Sequence, residues 1–400
     1  MRCSARPWWE HDRWDLRVDD RIPRRPHEPQ GHLPINLSLI QTGWLREGIR
    51  HWLRFALTDQ TYRWTTAATR CRNLATYYDP WVLAHGFDHP GIDTDPAGTR
   101  AAFNDYLGWL QAPRQNSRKP LAENQIATIR SHVQALYTWA HDNADLLAAS
   151  SGEPGWGQLS ERHLLLWPPA RRRRAAPPTT TRSDPIAPSD LGKMISHLEV
   201  LMTPTTEQAS ITTPGAGPCR YPGLGDAQAA RAWLLQAMTG RRVSEILMLD
   251  FDCLTPLLPY EDAAEDALVA RLRYQQTKVD GVDPTILVDL PAVRLIQEQQ
   301  AWASARCDPG VQPAHLFLAP RHNHRGLRPR PYPSHQAALR RLDDLVALTD
   351  AGGNPLRYGQ THRLRHTRAT DLLNAGVPIH VVQRYLGHRS PEMTMQYAQM

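Results

Sequence analysis

The stretch that decides the fold runs from Tyr358 to Met400 and reads YGQTHRLRHTRATDLLNAGVPIHVVQRYLGHRSPEMTMQYAQM. Thr361 is placed to cap a helix running to about Leu373, and Gly376 suits its C-terminal end. His362 and Arg365, three residues apart, share one face of that helix. A shorter helix from Ile379 to Leu386 stops at Gly387 and leaves His388 in the turn. Ser390-Pro391 then reads as the N-cap and first turn of a final helix that carries Tyr397. Each residue alone has an ordinary reading: His362 a polar surface group, His388 a C-cap histidine, Tyr397 an interfacial aromatic. Together they describe a site that grips a phosphate and attacks it. Such a site needs a second arginine, a proton donor and a way to hold a nucleic acid.

Upstream, a helical run ARAWLLQAM is followed by T-G-R-R-V-S-E. Gly240 can end the first helix in the left-handed conformation, and Ser244 is placed to cap EILML with Glu245 in its first turn. Arg242 then sits in a tight turn beside a helix N-terminus, two features that favour an anion; in isolation an Arg-Arg pair there is surface charge. Ala270, Leu272 and Tyr274, then Ile286, Val288 and Leu290, alternate with polar residues around T-K-V-D-G-V-D-P. This predicts a β-hairpin with Lys278 near its tip. A lysine there is solvated, unless the hairpin leans over a substrate and makes it a mobile proton donor. Ser189-Asp190 is placed to cap a helix through Leu191, Met194, Ile195 and Leu198, and residues 203–226, dense in Pro, Gly and Thr, read as a mobile loop.

The N-terminal half is helical in pattern. Leu45, Ile49, Trp52 and Leu53 recur at helical spacing, as do Phe103, Tyr106, Leu107 and Leu110, and then Ile126, Ile129, Val133 and Leu136. These stripes are core. Asp79-Pro80 and Asp95-Pro96 both read as helix starts with Asp as N-cap. Arg118, Lys119, Arg130 and His132 lie on the remaining surface, either as a solvated basic face or in contact with phosphates. WPPARRRRAAPPTTTRSDPIAP is a linker, and its run Arg171, Arg172, Arg173 and Arg174 is either merely solvated or laid across a duplex, where it would release counterions. The organisation read from these shifts is an irregular arm over 1–35, a helical domain over 36–150, a basic linker over 151–184 and a second domain over 185–400.

Composition sets the outer bounds. At 400 residues, 41% hydrophobic and 22% charged, the chain has the make-up of a globular protein of two or three domains. No apolar run reaches membrane-spanning length and MRCSARPWWEHDR lacks the apolar core of a signal peptide, so a cytoplasmic location is expected. The net charge of +6 is compatible with nucleic acid without requiring it. Cys3, Cys71, Cys219, Cys253 and Cys307 are scattered without a C-x-x-C, which indicates neither a zinc site nor a disulfide framework.

These pieces, in this order, resemble the tyrosine recombinase (phage integrase) family. T-G-R-R-V-S-E is similar to its first-arginine motif T-G-x-R-x-S-E, which selects Arg242 over Arg241. Q-T-K resembles its hairpin lysine, H-R-L-R-H-T its H-x-x-R, L-G-H its third basic motif and M-Q-Y its nucleophile. The nine residues from His388 to Tyr397 match its spacing. The likeness covers about Pro185 onward well, the helical half less closely, and residues 1–35 not at all.

The resemblance implies a mainly α fold with a small antiparallel β-sheet: a helical core-binding domain joined to a mixed α+β catalytic domain. It implies an enzyme that cleaves and rejoins DNA, with Arg242, Lys278, His362, Arg365, His388 and Tyr397 as its catalytic set and Glu245 orienting Arg242. No cofactor is implied, and the sequence offers no metal site beside these groups. The implied partners are double-stranded DNA, three further copies in a homo-tetramer, and accessory DNA-bending or directionality proteins, with no membrane and a nucleoid-associated location. Two departures stand out: the long segment 203–226, and an end three residues after Tyr397 where many members continue into a segment that docks on a neighbour. Either assembly differs here or the sequence is truncated. The same chemistry would also serve a type IB topoisomerase, and a catalytically dead DNA-binding protein is the remaining alternative.

Overall fold

The computed structural model describes residues 6–16, 18–24, 34–93, 95–112, 120–167, 185–212, 217–257, 269–275 and 284–387. The chain divides into two compact units, Met1–Ala176 and Pro177–Met400. Both are built mostly from helices, with small antiparallel sheets. Among the described residues no helix is long and apolar enough to cross a membrane.

In the first unit β1 (Arg13–Trp14) pairs with β2 (Ile35–Asn36), and six helices follow: α1 (Gly43–Thr58), α2 (Trp64–Asn73), α3 (Asp79–His85), α4 (Pro96–Gln111), α5 (Glu123–Asp142) and α6 (Ala144–Ser151). The predicted stripes of α1 and α5 are buried, as are Phe103, Tyr106 and Leu110 of α4, so the 3.6-residue period was a sound guide to which faces meet. Asp95 does cap α4, its carboxylate accepting from the Gly98 amide at 3.1 Å.

Asp79 behaves differently from the expectation. A π-helical turn, Leu74–Tyr78, joins α2 to α3, so Asp79 continues a helix instead of opening one. Its buried carboxylate accepts from the amides of Gln41 and Thr42 at 2.9 and 3.0 Å and thereby closes the start of α1. The cap is spent on a helix 37 residues away, which no local pattern reveals. His132 also turns inward instead of facing solvent: it is buried and its Nδ1 meets the Asn73 amide at 3.1 Å.

Residues on either side of the helical run join the same core. Trp14 and Ile22, from the stretch read as an arm, are buried there, and Arg50 of α1 binds that stretch through the carbonyls of Trp9 and His11 and the carboxylate of Asp12. Trp156, Leu166 and Trp167, from the stretch read as linker, are buried in it too. Tryptophan is large enough to carry irregular backbone into a core, which periodicity cannot detect.

The second unit holds α7 (Pro188–His197), α8 (Glu199–Met202), β3 (Gln208–Ile211), β4 (Cys219–Pro222), α9 (Ala227–Thr239), α10 (Val243–Leu247), β5 (Leu254–Pro256), β6 (Ala270–Arg273), β7 (Thr285–Val288), α11 (Leu290–Ser304), α12 (Tyr332–Val346), α13 (His362–Asn374) and α14 (Ile379–Leu386). The segment read as a mobile loop contains an antiparallel pair, β3 with β4, whose Ala209 and Ile211 face the core. Its apolar positions alternate with period two but are too few to stand out from the Pro and Gly around them. The predicted hairpin strands are present, Ala270 opposite Val288 and Leu272 opposite Ile286, with β5 added on the outer side of β6. Helix α9 is central. Its Ala229, Ala230 and Trp233 belong to a core shared with α7, α12 and α13, while its Ala232 and Leu235 belong to a second core with the three-stranded sheet and α11. A helix apolar on two faces must be buried, and its C-terminal turn is therefore held from both sides.

Gly48 lies inside α1 where a Cβ would come within 2.2 Å of the buried Trp156 ring. Gly48→Ala should gain about 1 kcal/mol of helix propensity and lose about 1–3 kcal/mol to overpacking. The expected net result is a Tm lower by up to roughly 8 °C, measured by thermal melting. A raised Tm would show that Trp156 moves aside freely.

Candidate active site

The site is assembled around the turn that follows α9. Gly240 adopts φ +62°, as expected of a helix-terminating glycine, and α10 begins immediately after Arg242. Ser244 is not the cap. The helix starts two residues earlier than the sequence indicated, and Glu245 supplies the closure by accepting from the Arg242 amide at 3.0 Å. The same carboxylate, fully buried, pairs with the Arg242 guanidinium at 2.8 Å, leaving that side chain 15% exposed. A charge-assisted pair of this kind restricts the rotamers of Arg242 while its remaining N–H groups stay available to an anion.

Arg365 arrives from α13. It is 1% exposed and donates to the carbonyl of Gly240 at 2.9 Å and to the carbonyl of Leu386 at the end of α14. The entry to α13 is fixed by partners distant in sequence. Asp343 of α12 accepts from the Tyr358 amide at 2.7 Å and from the Gly359 amide at 3.4 Å. The Tyr358 hydroxyl donates to the Met194 carbonyl at 2.7 Å, and α9 reaches across through Trp233 to the Tyr358 carbonyl and through Gln236 to the Thr361 carbonyl. His362, one turn before Arg365, is exposed, and its ring centroid is 4.9 Å from that of His366.

Arg241, set aside as a spacer by the sequence motif, is fully buried. It donates to the Tyr274 hydroxyl at 2.5 Å and to the Tyr385 carbonyl, and its guanidinium lies over both aromatic rings at 4.6 and 4.9 Å. Tyr274 follows β6 and is raised above the ordinary phenol range by burial, with Arg241, Arg365 and Arg242 opposing that shift and Glu245 adding to it. One phenol thus senses all three arginines. Arg241, Tyr274 and Asp343 escaped the sequence reading because their partners lie 15 to 144 residues away.

The structure therefore gathers Arg242, Glu245 and Arg365 at the Gly240 turn, with His362 on the same helix as Arg365. Arg130 packs over the Trp167 ring at 4.9 Å in the first unit. Lys278, His388, Tyr397, Arg118, Lys119 and Arg171 to Arg174 lie outside the described residues. Among the described residues no group of three or more His, Cys, Asp and Glu side chains is arranged to hold a metal ion.

Residues 295–400 match the family model described as the phage integrase family. Transposase B from transposon Tn554 of Staphylococcus aureus (strain Mu50) is 30% identical over 159 residues, 40% of this chain and 22% of that protein. A putative integrase/recombinase of Sinorhizobium fredii is 40% identical over 70 residues, 16% of this chain and 36% of that protein. The chain thus spans about a fifth to a third of the length of these relatives. Among solved structures, the XerH site-specific recombinase bound to its difH substrate in a pre-cleavage complex aligns with TM-score 0.54 at 12% identity, over 95% of this chain and 97% of that one. Its post-cleavage complex aligns with TM-score 0.53 at 14% identity, over 93% and 95%. These likenesses establish a shared fold.

His366 titrates at about 4, held down by burial and then by His362 and Arg365. Its folded value lies below the unfolded value of about 6.5. Stability is therefore complete above that value and declines as the pH falls toward 4, because the unfolded chain takes up a proton that the folded chain refuses. Urea denaturation at pH 7, 6 and 5 should show this decline, and His366→Gln should make it shallower. An unchanged slope in the variant would place the acid sensitivity elsewhere, first at His335 and His132, which burial lowers to about 3 and about 4.

Proposed function

We propose, from the match of residues 295–400 to the phage integrase family model and the likeness to Transposase B from transposon Tn554, that this protein is a tyrosine recombinase: a site-specific DNA recombinase or integrase acting through a 3′-phosphotyrosine intermediate. The observation that carries the reading is the meeting of Arg242, held by Glu245, with Arg365 at one backbone turn, although 123 residues separate them (365 − 242). In this reading the partly exposed Arg242 donates to the non-bridging oxygens of the phosphodiester, and the buried Arg365, whose terminal nitrogens hold the Gly240 and Leu386 carbonyls, adds positive charge at the same turn.

In this reading the Tyr397 oxygen attacks phosphorus and its proton passes toward His362. The P–O5′ bond breaks, and Lys278 gives the leaving 5′-oxygen its proton. His388 donates to the phosphate. The phosphotyrosine ester keeps the energy of the broken bond, so a second 5′-hydroxyl can rejoin the strand without a nucleotide cofactor. Exchange between two duplexes calls for four protomers on double-stranded DNA, with DNA-bending or directionality proteins as accessories and a cytoplasmic, nucleoid-associated location. Arg118, Lys119, Arg130 and the linker arginines would hold phosphates and so position the duplex, while base contacts choose the site.

The test is capture of a covalent adduct on nicked DNA fragments tiled across the locus that encodes the protein, followed by mapping of the attached phosphate. The wild type should yield an adduct at a 3′-phosphate and Tyr397→Phe none, with DNA binding kept within about threefold because only the nucleophilic oxygen is lost. Adducts that persist in Tyr397→Phe would overturn the assignment. Relaxation of supercoiled plasmid without two-site exchange would favour a topoisomerase.

A second measurement addresses the linker. Replacing Arg171 to Arg174 with alanine should weaken binding across unrelated sequences and flatten the dependence of log K on log salt, each lost phosphate contact removing about 0.9 from the slope. A change in site preference at constant slope would mean that the linker reads bases.

A further inference from the structure

Arg241 has no role in the motif that surrounds it, yet it occupies the centre of the site. It is fully buried, and among the described residues no carboxylate pairs with it. A buried cation without a counter-ion is expensive, and an apolar side chain of similar length would fill the same space at lower cost. Packing therefore does not account for a guanidinium here. What the guanidinium adds is directional: one N–H to the Tyr274 hydroxyl and one to the Tyr385 carbonyl, with both rings stacked against it.

These two contacts tie separate elements to the Gly240 turn. Tyr385 belongs to α14, whose next carbonyl is taken by Arg365. Tyr274 follows β6 directly and stands four residues before Lys278 in the sequence. The sheet that carries Tyr274 is small, three strands of three or four residues packed on α9 and α11 by apolar contacts, and the Arg241 bond adds a directional tie at the end of β6.

We propose that Arg241 is a positioning residue for leaving-group protonation: by holding the Tyr274 hydroxyl it fixes the end of β6, four residues before Lys278 in the sequence. The inference rests on the recombinase reading, in which Lys278 protonates the 5′-oxygen.

The test compares two nicked DNA substrates carrying the captured site, one with the natural 5′-oxygen at the scissile bond and one with 5′-sulfur there. Cleavage of the first breaks P–O5′ and requires a proton on oxygen. Cleavage of the second breaks P–S5′ and releases a thiolate that leaves unprotonated, so a defect confined to proton donation disappears. Arg241→Met and Tyr274→Phe should each slow adduct formation about tenfold on the oxygen substrate and lie within about threefold of wild type on the sulfur substrate. Thermal melting accompanies the rates. Should Arg241→Met fail to fold, Tyr274→Phe, which loses one oxygen and keeps the ring, decides the matter.

Equal losses on both substrates, or wild-type rates on both, would overturn the proposal, the first marking Arg241 as structural only. Lys278→Ala is the reference. If its defect is not relieved by sulfur, or if the wild type forms no adduct, the functional reading itself is wrong and the failure is traced there.

Discussion

The capture of backbone carbonyls by buried arginines holds the second unit's site together. Arg365 takes the Gly240 and Leu386 carbonyls and Arg241 takes Tyr385, so the ends of α9 and α14 are closed by side chains from other elements. Helix C-termini leave carbonyls unpaired, and burying them without donors would be costly. A guanidinium answers that need and brings positive charge with it. The groups that terminate these helices are thus the same groups that make the junction attractive to an anion. Stability and electrostatics are served by one arrangement, and removing one arginine disturbs both.

The first unit solves a different problem. Its core is crowded with aromatic side chains whose polar ends must be satisfied inside. Tyr78 and Tyr137 share a hydroxyl contact at 2.8 Å, with Tyr137 donating onward to the Pro90 carbonyl. The indole N–H groups of Trp44 and Trp167 donate to the carbonyls of Phe87 and Phe103. Because these acceptors lie in loops and at helix faces far along the chain, the tryptophans fix irregular segments as firmly as helices. Stretches on both sides of the helical run are drawn into the core by this means.

Much of the architecture was legible beforehand. The buried stripes of α1, α4 and α5, the hairpin strands β6 and β7, and the glycine ends of α9, α13 and α14 all follow from local rules of period and conformation. Where local rules misled, a distant partner had intervened. Asp79 looked like the cap of its own helix and caps α1; Ser244 looked like a cap and Glu245 does the work; residues 208–222 looked like a loop and pair as strands. Arg242, Glu245 and Arg365, singled out by motif and spacing, lie near the Gly240 turn, where Glu245 pairs with Arg242 and Arg365 donates to the Gly240 carbonyl.

The sequence by itself determined most of the helices, the strands of the predicted hairpin and which helix faces are apolar, because those properties depend on residues within a turn or two of one another. Only the tertiary structure decided which of two adjacent arginines is buried and what each one holds. Arg241 and Arg242 are chemically identical and neighbours in the chain, so no local signal separates their roles. The difference lies in the partners that the fold brings to the turn: Glu245 of α10 pairs with Arg242, while Tyr274 and the Tyr385 carbonyl receive Arg241.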